Sequence, residues 1–187
     1  MNTKKYKVFA LMGKSASGKD TIMQEVLEYT SCFNEIISHT TRPKRENEID
    51  GKNYHFTTQE EFIKMIEDET MLEFDEFNNW LYGSAASAYS DEKINIGVFS
   101  PSGIAALSED PRVDLTVFYI QASDKNRLMR QLLRETNPDV HEIIRRFKTD
   151  EEDFKDYNLD FNCEIYRLDN NTTDDFNVAV GAIISFV

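Results

Sequence analysis

Nine residues near the N-terminus constrain this chain more than any other stretch. Gly13-Lys14-Ser15-Ala16-Ser17-Gly18-Lys19-Asp20-Thr21 follow a short apolar run, Lys7–Met12, and lead into a segment with Ile22, Met23, Val26 and Leu27 on one helical face. An apolar run that stops at glycine reads as a strand buried on both faces. The spacing after it reads as a helix over Lys19–Tyr29. A glycine-rich turn between a buried strand and a helix gathers backbone N–H groups and a helix N-terminus at one point, a cradle for phosphate oxygens. The pattern G-x-x-x-x-G-K-[ST] is met by Gly13, Gly18 and Lys19, while Asp20 stands where a hydroxyl residue is usual. The competing reading is a plain glycine turn with an incidental lysine.

The rest of the chain alternates strand-like and helix-like segments. Strands are expected at Asn34–Ser38, Ile94–Phe99, Leu115–Ile120 and Glu164–Leu168. Helices are expected from Ile104, over Asp124–Glu135, over Val140–Lys155 and over Thr173–Val187. That rhythm predicts an α/β fold of three layers, a parallel central sheet covered by helices on both faces. The stretch from about 39 to 90 breaks it. A polar loop over 39–53 precedes a capping box at Thr57 and Glu60, and two alternating runs, Met71–Phe77 and Trp80–Gly83, flank an Asn78-Asn79 turn. We expect one domain: a core of 1–38 and 91–187, with 39–90 as an inserted lobe.

Charge narrows the partners. The net charge is −13. Residues 1–52 carry nine Lys or Arg against seven Asp or Glu, so the remaining residues hold −15. A surface that acidic disfavours nucleic acid and anionic membranes, and leaves the N-terminal third to receive any anionic ligand. Two cysteines, Cys32 and Cys163, make neither a metal-ligand spacing nor a disulfide framework. The run before Gly13 is too short for a membrane span, so the expected location is the cytoplasm.

A second basic feature follows the loop. Arg42, Lys44 and Arg45 crowd Ser38-His39-Thr40-Thr41-Arg42-Pro43-Lys44-Arg45-Glu46-Asn47-Glu48, and Gly51-Lys52-Asn53-Tyr54-His55-Phe56 comes next. Arginine forks suit a second phosphate, although a solvated basic loop reads the same from charge alone. Arg127, Arg130 and Arg134 then fall at i, i+3 and i+7, along one face of a helix, with Arg145 and Arg146 on the next.

Taken together, these segments resemble the guanylate kinase family from about Val8 to Asn171. Ser38, Thr40, Thr41, Arg42, Arg45 and Glu48 match its S-x-T-T-R-x-x-R-x-x-E segment. Gly51, Tyr54 and Phe56 match G-x-x-Y-x-F, and Leu72-Glu73-Phe74 and Leu81-Tyr82-Gly83-Ser84 are similar to its base- and phosphate-contacting strands. The resemblance implies ATP on Gly13, Lys14, Ser15, Ala16, Ser17, Gly18, Lys19, Asp20 and Thr21. It implies GMP or dGMP on Ser38, Arg42, Arg45, Glu48, Tyr54, Glu73, Tyr82, Ser84 and Ser100. Lys19 with Arg130, Arg134 and Arg146 would serve catalysis, the arginines on a mobile lid near 125–150. Mg²⁺ would accompany ATP, in a monomer or homodimer. Two alternatives stay open: a kinase of other or relaxed deoxynucleoside monophosphate specificity, and an inactive binding module of the same family.

Two stretches depart from the family. Its D-x-D-x-Q-G stretch is here Val98-Phe99-Ser100-Pro101-Ser102-Gly103, without either aspartate. At the same time Asp20 adds a carboxylate to the glycine loop. Mg²⁺ prefers hard oxygen ligands, so Asp20 is a candidate metal ligand in place of the lost strand carboxylate. It could equally serve as an anion at the helix start.

Overall fold

The computed structural model describes residues 6–44, 48–77, 79–134, 136–155 and 161–187. In chain order the elements are β1 (Tyr6–Met12), α1 (Lys19–Tyr29), β2 (Phe33–Glu35), β3 (His39–Thr40), β4 (His55–Phe56), α2 (Gln59–Glu67), β5 (Met71–Phe77) and β6 (Trp80–Ala85). They continue with β7 (Ile94–Val98), α3 (Pro101–Glu109), β8 (Val113–Gln121), α4 (Asp124–Arg134), α5 (Val140–Asp153), β9 (Glu164–Asp169) and α6 (Thr173–Ile184).

Five strands form a parallel sheet in the order β2-β7-β1-β8-β9. The continuous apolar run of β1 is explained by its two packed faces. Val8, Ala10 and Met12 join a core with Ile104 and Leu107 of α3, while Phe9 and Leu11 join one with Ile22 and Val26 of α1 and Val180 and Ile183 of α6. The fold is therefore α/β, a parallel sheet between helical layers. Among the described residues no helix is long and apolar enough to cross a membrane.

Residues between β2 and β7 build a second sheet, ordered β4-β3-β6-β5. The hairpin β5–β6 is antiparallel, as the alternating runs predict, and β3 joins β6 antiparallel and β4 parallel. β3 lies inside the stretch expected to be loop, and the strand expected at Asn34–Ser38 ends at Glu35. Two-residue strands carry no periodicity; Thr40 is held by its partner, its hydroxyl donating to Leu81 O at 3.0 Å.

The capping box sits one residue beyond the expected position. Thr58 Oγ1 accepts from Glu61 N–H at 3.2 Å, and Glu61 Oε2 accepts from Thr58 N–H at 3.0 Å. Adjacent threonines and glutamates make both registers readable, and the helix takes the later one. α3 begins at Pro101 rather than Ile104. Ser100 caps it by accepting from Gly103 N–H at 3.1 Å, and proline suits the first helical position because no N–H is needed there.

Candidate active site

The carboxyl ends of β1 and β7 face the hairpin β5–β6 across a cleft of about 710 Å³. That is within the roughly 300–1,000 Å³ typical of small-molecule sites. Gly13 and Lys19 stand on one wall and Ser38, Tyr54, Glu73 and Tyr82 on the other, with Ser100 at the base of α3 between them.

The junction of the glycine loop with α1 leaves the first amides of the helix without a capping side chain. Gly18 has φ 94, and a Cβ there would stand 2.2 Å from Asn170 Nδ2, so glycine is required. α1 starts without a side-chain cap, and its first helical bond runs from Ile22 N–H to Gly18 O at 3.0 Å. The N–H groups of Lys19, Asp20 and Thr21 consequently have no helical acceptor, and they head a dipole that favours an anion. Lys14 O accepts from Ser17 N–H at 3.1 Å, closing the turn. Ser17 Oγ is buried without a partner among the described residues.

The loop's carbonyls are tied down from behind. Arg130 donates to Ala16 O at 3.2 Å, Ser17 O at 3.1 Å and Asn170 O at 2.7 Å, and Asn170 Nδ2 donates to Ser17 O at 2.8 Å. These bonds fix the carbonyl side of the loop against α4 and the end of β9. Arg127 reinforces this. It is 1% exposed, donates to Ser15 O at 3.0 Å and Asp124 at 2.8 Å, pairs with Asp150, and lies 4.3 Å from the Phe147 ring centroid. Asp150 in turn accepts from Ser15 N–H at 2.9 Å and Ser15 Oγ at 3.1 Å.

Of the three arginines expected to act in catalysis, only Arg130 reaches the loop, and it does so through carbonyl oxygens. Arg134 is exposed on the last turn of α4. Arg146 and Arg145 are paired with Glu142 at 2.8 and 2.7 Å, which holds that carboxyl down at about 2. Neither Arg134 nor Arg146 lines the cleft. Asp20 is 78% exposed with its carboxylate 4.0 Å from Lys19 Nζ. Among the described residues no group of three or more His, Cys, Asp or Glu could hold a metal ion.

On the opposite wall, Arg42 lies against Tyr54 and Phe56, its guanidinium carbon 5.6 and 5.7 Å from their ring centroids. Glu48 is its ion-pair partner at 2.6 Å. Tyr54 meets Tyr82 edge-on at 6.0 Å. Arg45 lies outside the described residues.

Glu73 is the most perturbed group of the cleft. It is 6% exposed, and burial, with a smaller contribution from Asp75, lifts its pKa from 4.5 to about 7 against opposing hydrogen bonds from Ser84. Ser84 is itself fully buried, its hydroxyl 2.7 Å from Tyr89 OH, so it meets the cleft through Glu73. Gly103 makes room for this carboxylate: a Cβ there would lie 2.8 Å from Glu73 Oε2.

Sequence reasoning missed three participants: Asp75, which lines the cleft, and Asp150 and Asn170, which hold the loop. Asp75 lies two residues beyond Glu73 and so shares its strand face, a signal available in the sequence. Asp150 and Asn170 meet the loop only through tertiary packing.

The model describing the guanylate kinase family matches residues 5–185, nearly the whole chain. This chain belongs to the guanylate kinase family. It is 35% identical over 146 residues to the guanylate kinase of Thermotoga maritima, covering 75% of this chain and 70% of that one. It is 30% identical over 175 residues to the guanylate kinase of Wigglesworthia glossinidia brevipalpis, covering 90% and 84%. The crystal structure of guanylate kinase from Anaplasma phagocytophilum superposes with a TM-score of 0.60, covering 98% of this chain and 85% of that one at 15% identity, a likeness of fold. Against the motifs that the sequence resembles, Gly13, Gly18, Lys19 and Glu73 are retained, whereas Asp20 and Ser100 depart from them.

Proposed function

We propose that this chain transfers the γ-phosphoryl group of ATP to GMP or dGMP, giving ADP and GDP or dGDP, in the cytoplasm. One observation carries the reading: the uncapped start of α1 with Lys19 faces a buried carboxylate, Glu73, across a single cleft. The first suits a triphosphate. The second suits guanine, whose N1–H and 2-amino group offer a carboxylate two donors. Adenine offers no such pair and would leave the buried carboxylate unmatched.

In this reading the glycine loop of residues 13–21 holds the β- and γ-phosphates through Lys19 and the free amides at the start of α1. Arg42, Arg45, Tyr54 and Tyr82 hold the acceptor's phosphate, with Glu48 fixing Arg42. Ser38, Glu73 and Ser100 face the base, and Ser84 sets the Glu73 carboxylate. Arg130 holds the loop in shape, and Arg134 and Arg146 approach the phosphates when the part of the 125–150 lid between the anchors Arg130 and Asp150 closes with the 39–90 lobe. Catalysis is by alignment and charge neutralisation, and closure keeps water from taking the phosphoryl group.

Mg²⁺ fits the donor set at the loop. Asp20 is an accessible hard oxygen donor beside Lys19, and this ion is commonly bound by one or two carboxylates together with substrate phosphates. When bound, the ion neutralises phosphate charge. Asp20→Ser should therefore shift the half-maximal free Mg²⁺ concentration upward, and a superimposable Mg²⁺ curve would remove Asp20 from the metal site.

Glu73 gives the direct test of base reading. Glu73→Gln should cost about 1.5–3 kcal/mol of GMP preference over AMP, since one charge-assisted acceptor becomes an NH₂ facing guanine's donors. Because the free carboxyl titrates at about 7 and must be ionised to read the base, kcat/KM for GMP should rise between about pH 6 and 8. That limb should vanish in Glu73→Gln. The sign is opposite for stability: a raised carboxyl stabilises the fold below its ordinary value, and that contribution is lost as pH climbs through about 7. Unchanged GMP-over-AMP preference in the variant would end the guanine assignment.

A further inference from the structure

Asp75 lines the cleft beside Glu73. Residues 73 and 75 share one face of β5. Asp75 reaches across the cleft to the start of α3, its Oδ2 accepting from Ser100 Oγ at 3.0 Å and from Ser102 Oγ. Its Oδ1 accepts from Glu76 N–H at 2.8 Å. A Cβ on Gly103 would lie 2.8 Å from Glu73 Oε2 and 3.4 Å from Ser100 Oγ, so Glu73, Gly103, Ser100 and Asp75 enclose one space.

Resting on the guanine reading above, the chemistry of the base asks for a second acceptor. Guanine presents three N–H bonds on this edge, one on N1 and two on the amino group. Glu73, even when bidentate, accepts from N1–H and one amino N–H. The other amino N–H enters a cleft from which water is excluded on closure, and leaving it unpaired costs affinity. We infer that Asp75 is a specificity-determining residue that accepts this second amino N–H, held in place by the Ser100 and Ser102 hydroxyls. The side chain at position 100 is a hydroxyl, and the carboxylate hydrogen-bonded to it comes from β5. Each carboxylate oxygen carries two lone pairs, so Asp75 can accept from base and serines together. It also explains why two acids share so small a space. Their mutual repulsion is one reason Glu73 titrates high, and a ligand with three donors relieves it.

The test uses inosine monophosphate, which keeps N1–H and lacks the 2-amino group. The measured quantity is the ratio of kcat/KM for GMP to that for IMP in wild type, Asp75→Ala, Asp75→Asn, and Asp75→Ala with Ser100→Asp. The ratio should fall about 10- to 100-fold in Asp75→Ala, the loss of one charge-assisted hydrogen bond. Most of it should return with Ser100→Asp, because a carboxylate there starts 3.0 Å from the same place and aspartate caps a helix as well as serine does. Asp75→Asn still accepts from both serines, so its melting temperature should match wild type while the ratio falls. A ratio unchanged in both Asp75 variants would overturn the inference and leave Asp75 as a brace between β5 and α3. Wild type without GMP turnover would overturn the guanine reading itself, and this inference with it.

Discussion

Arg127→Ala should lower the unfolding free energy by about 3–5 kcal/mol, the usual cost of leaving one partner of a buried ion pair behind. The side chain is 1% exposed, and its partner Asp150 is 10% exposed. Alanine would strand the Asp150 carboxylate next to Ser15 and empty the space over the Phe147 ring. The loss is larger than for an arginine on a helix surface, where pairs such as Arg146–Glu142 contribute about 0–1 kcal/mol. Urea unfolding of Arg127→Ala, Asp150→Ala and the double variant measures it. The double variant should be more stable than Arg127→Ala, since no uncompensated charge remains. A loss under about 1 kcal/mol in Arg127→Ala would mean the pair is solvated in solution.

Lys19→Ala should do the reverse, leaving the fold and removing the reaction. The side chain stands at the loop–helix junction, 17% exposed, its recorded ion pair a 4.0 Å contact with the exposed Asp20. Such a contact is worth about 0–1 kcal/mol, so unfolding should move by no more than that. Turnover should fall by a factor on the order of 10²–10³ or more, the scale for removing one group that stabilises transition-state charge. Turnover near that of wild type would show that the glycine loop does not hold the transferred phosphate.

The two arginines that tie the loop illustrate what a sequence conveys and what it leaves out. Arg127, Arg130 and Arg134 were legible as one helical stripe, and a stripe of three arginines reads as a phosphate clamp. The structure divides them. Arg127 is turned inward by an acid 23 residues away, Arg130 takes loop carbonyls, and Arg134 stays at the surface. Periodicity places residues on a face, and only the packing of α4 against α5 decides which of them that face buries. The glycine loop was legible because its constraints are local: a doubly buried strand, a turn that demands glycine and an amphipathic helix follow each other without a gap. Helix α1 accordingly begins and ends where its spacing says. β3 and β4 were not legible, because two residues hold no pattern and their stability comes from β6. Asp75 was legible in principle, one strand repeat beyond Glu73, but what it touches at Ser100 depends on how α3 meets β5.

ADP release from ATP–Mg²⁺ in the presence of each nucleoside monophosphate in turn measures the proposed transfer to GMP or dGMP most directly. GMP or dGMP should drive stoichiometric ADP formation, with AMP, CMP and UMP far behind. A chain that releases ADP equally with every monophosphate, prefers another base, or releases none with GMP would contradict it.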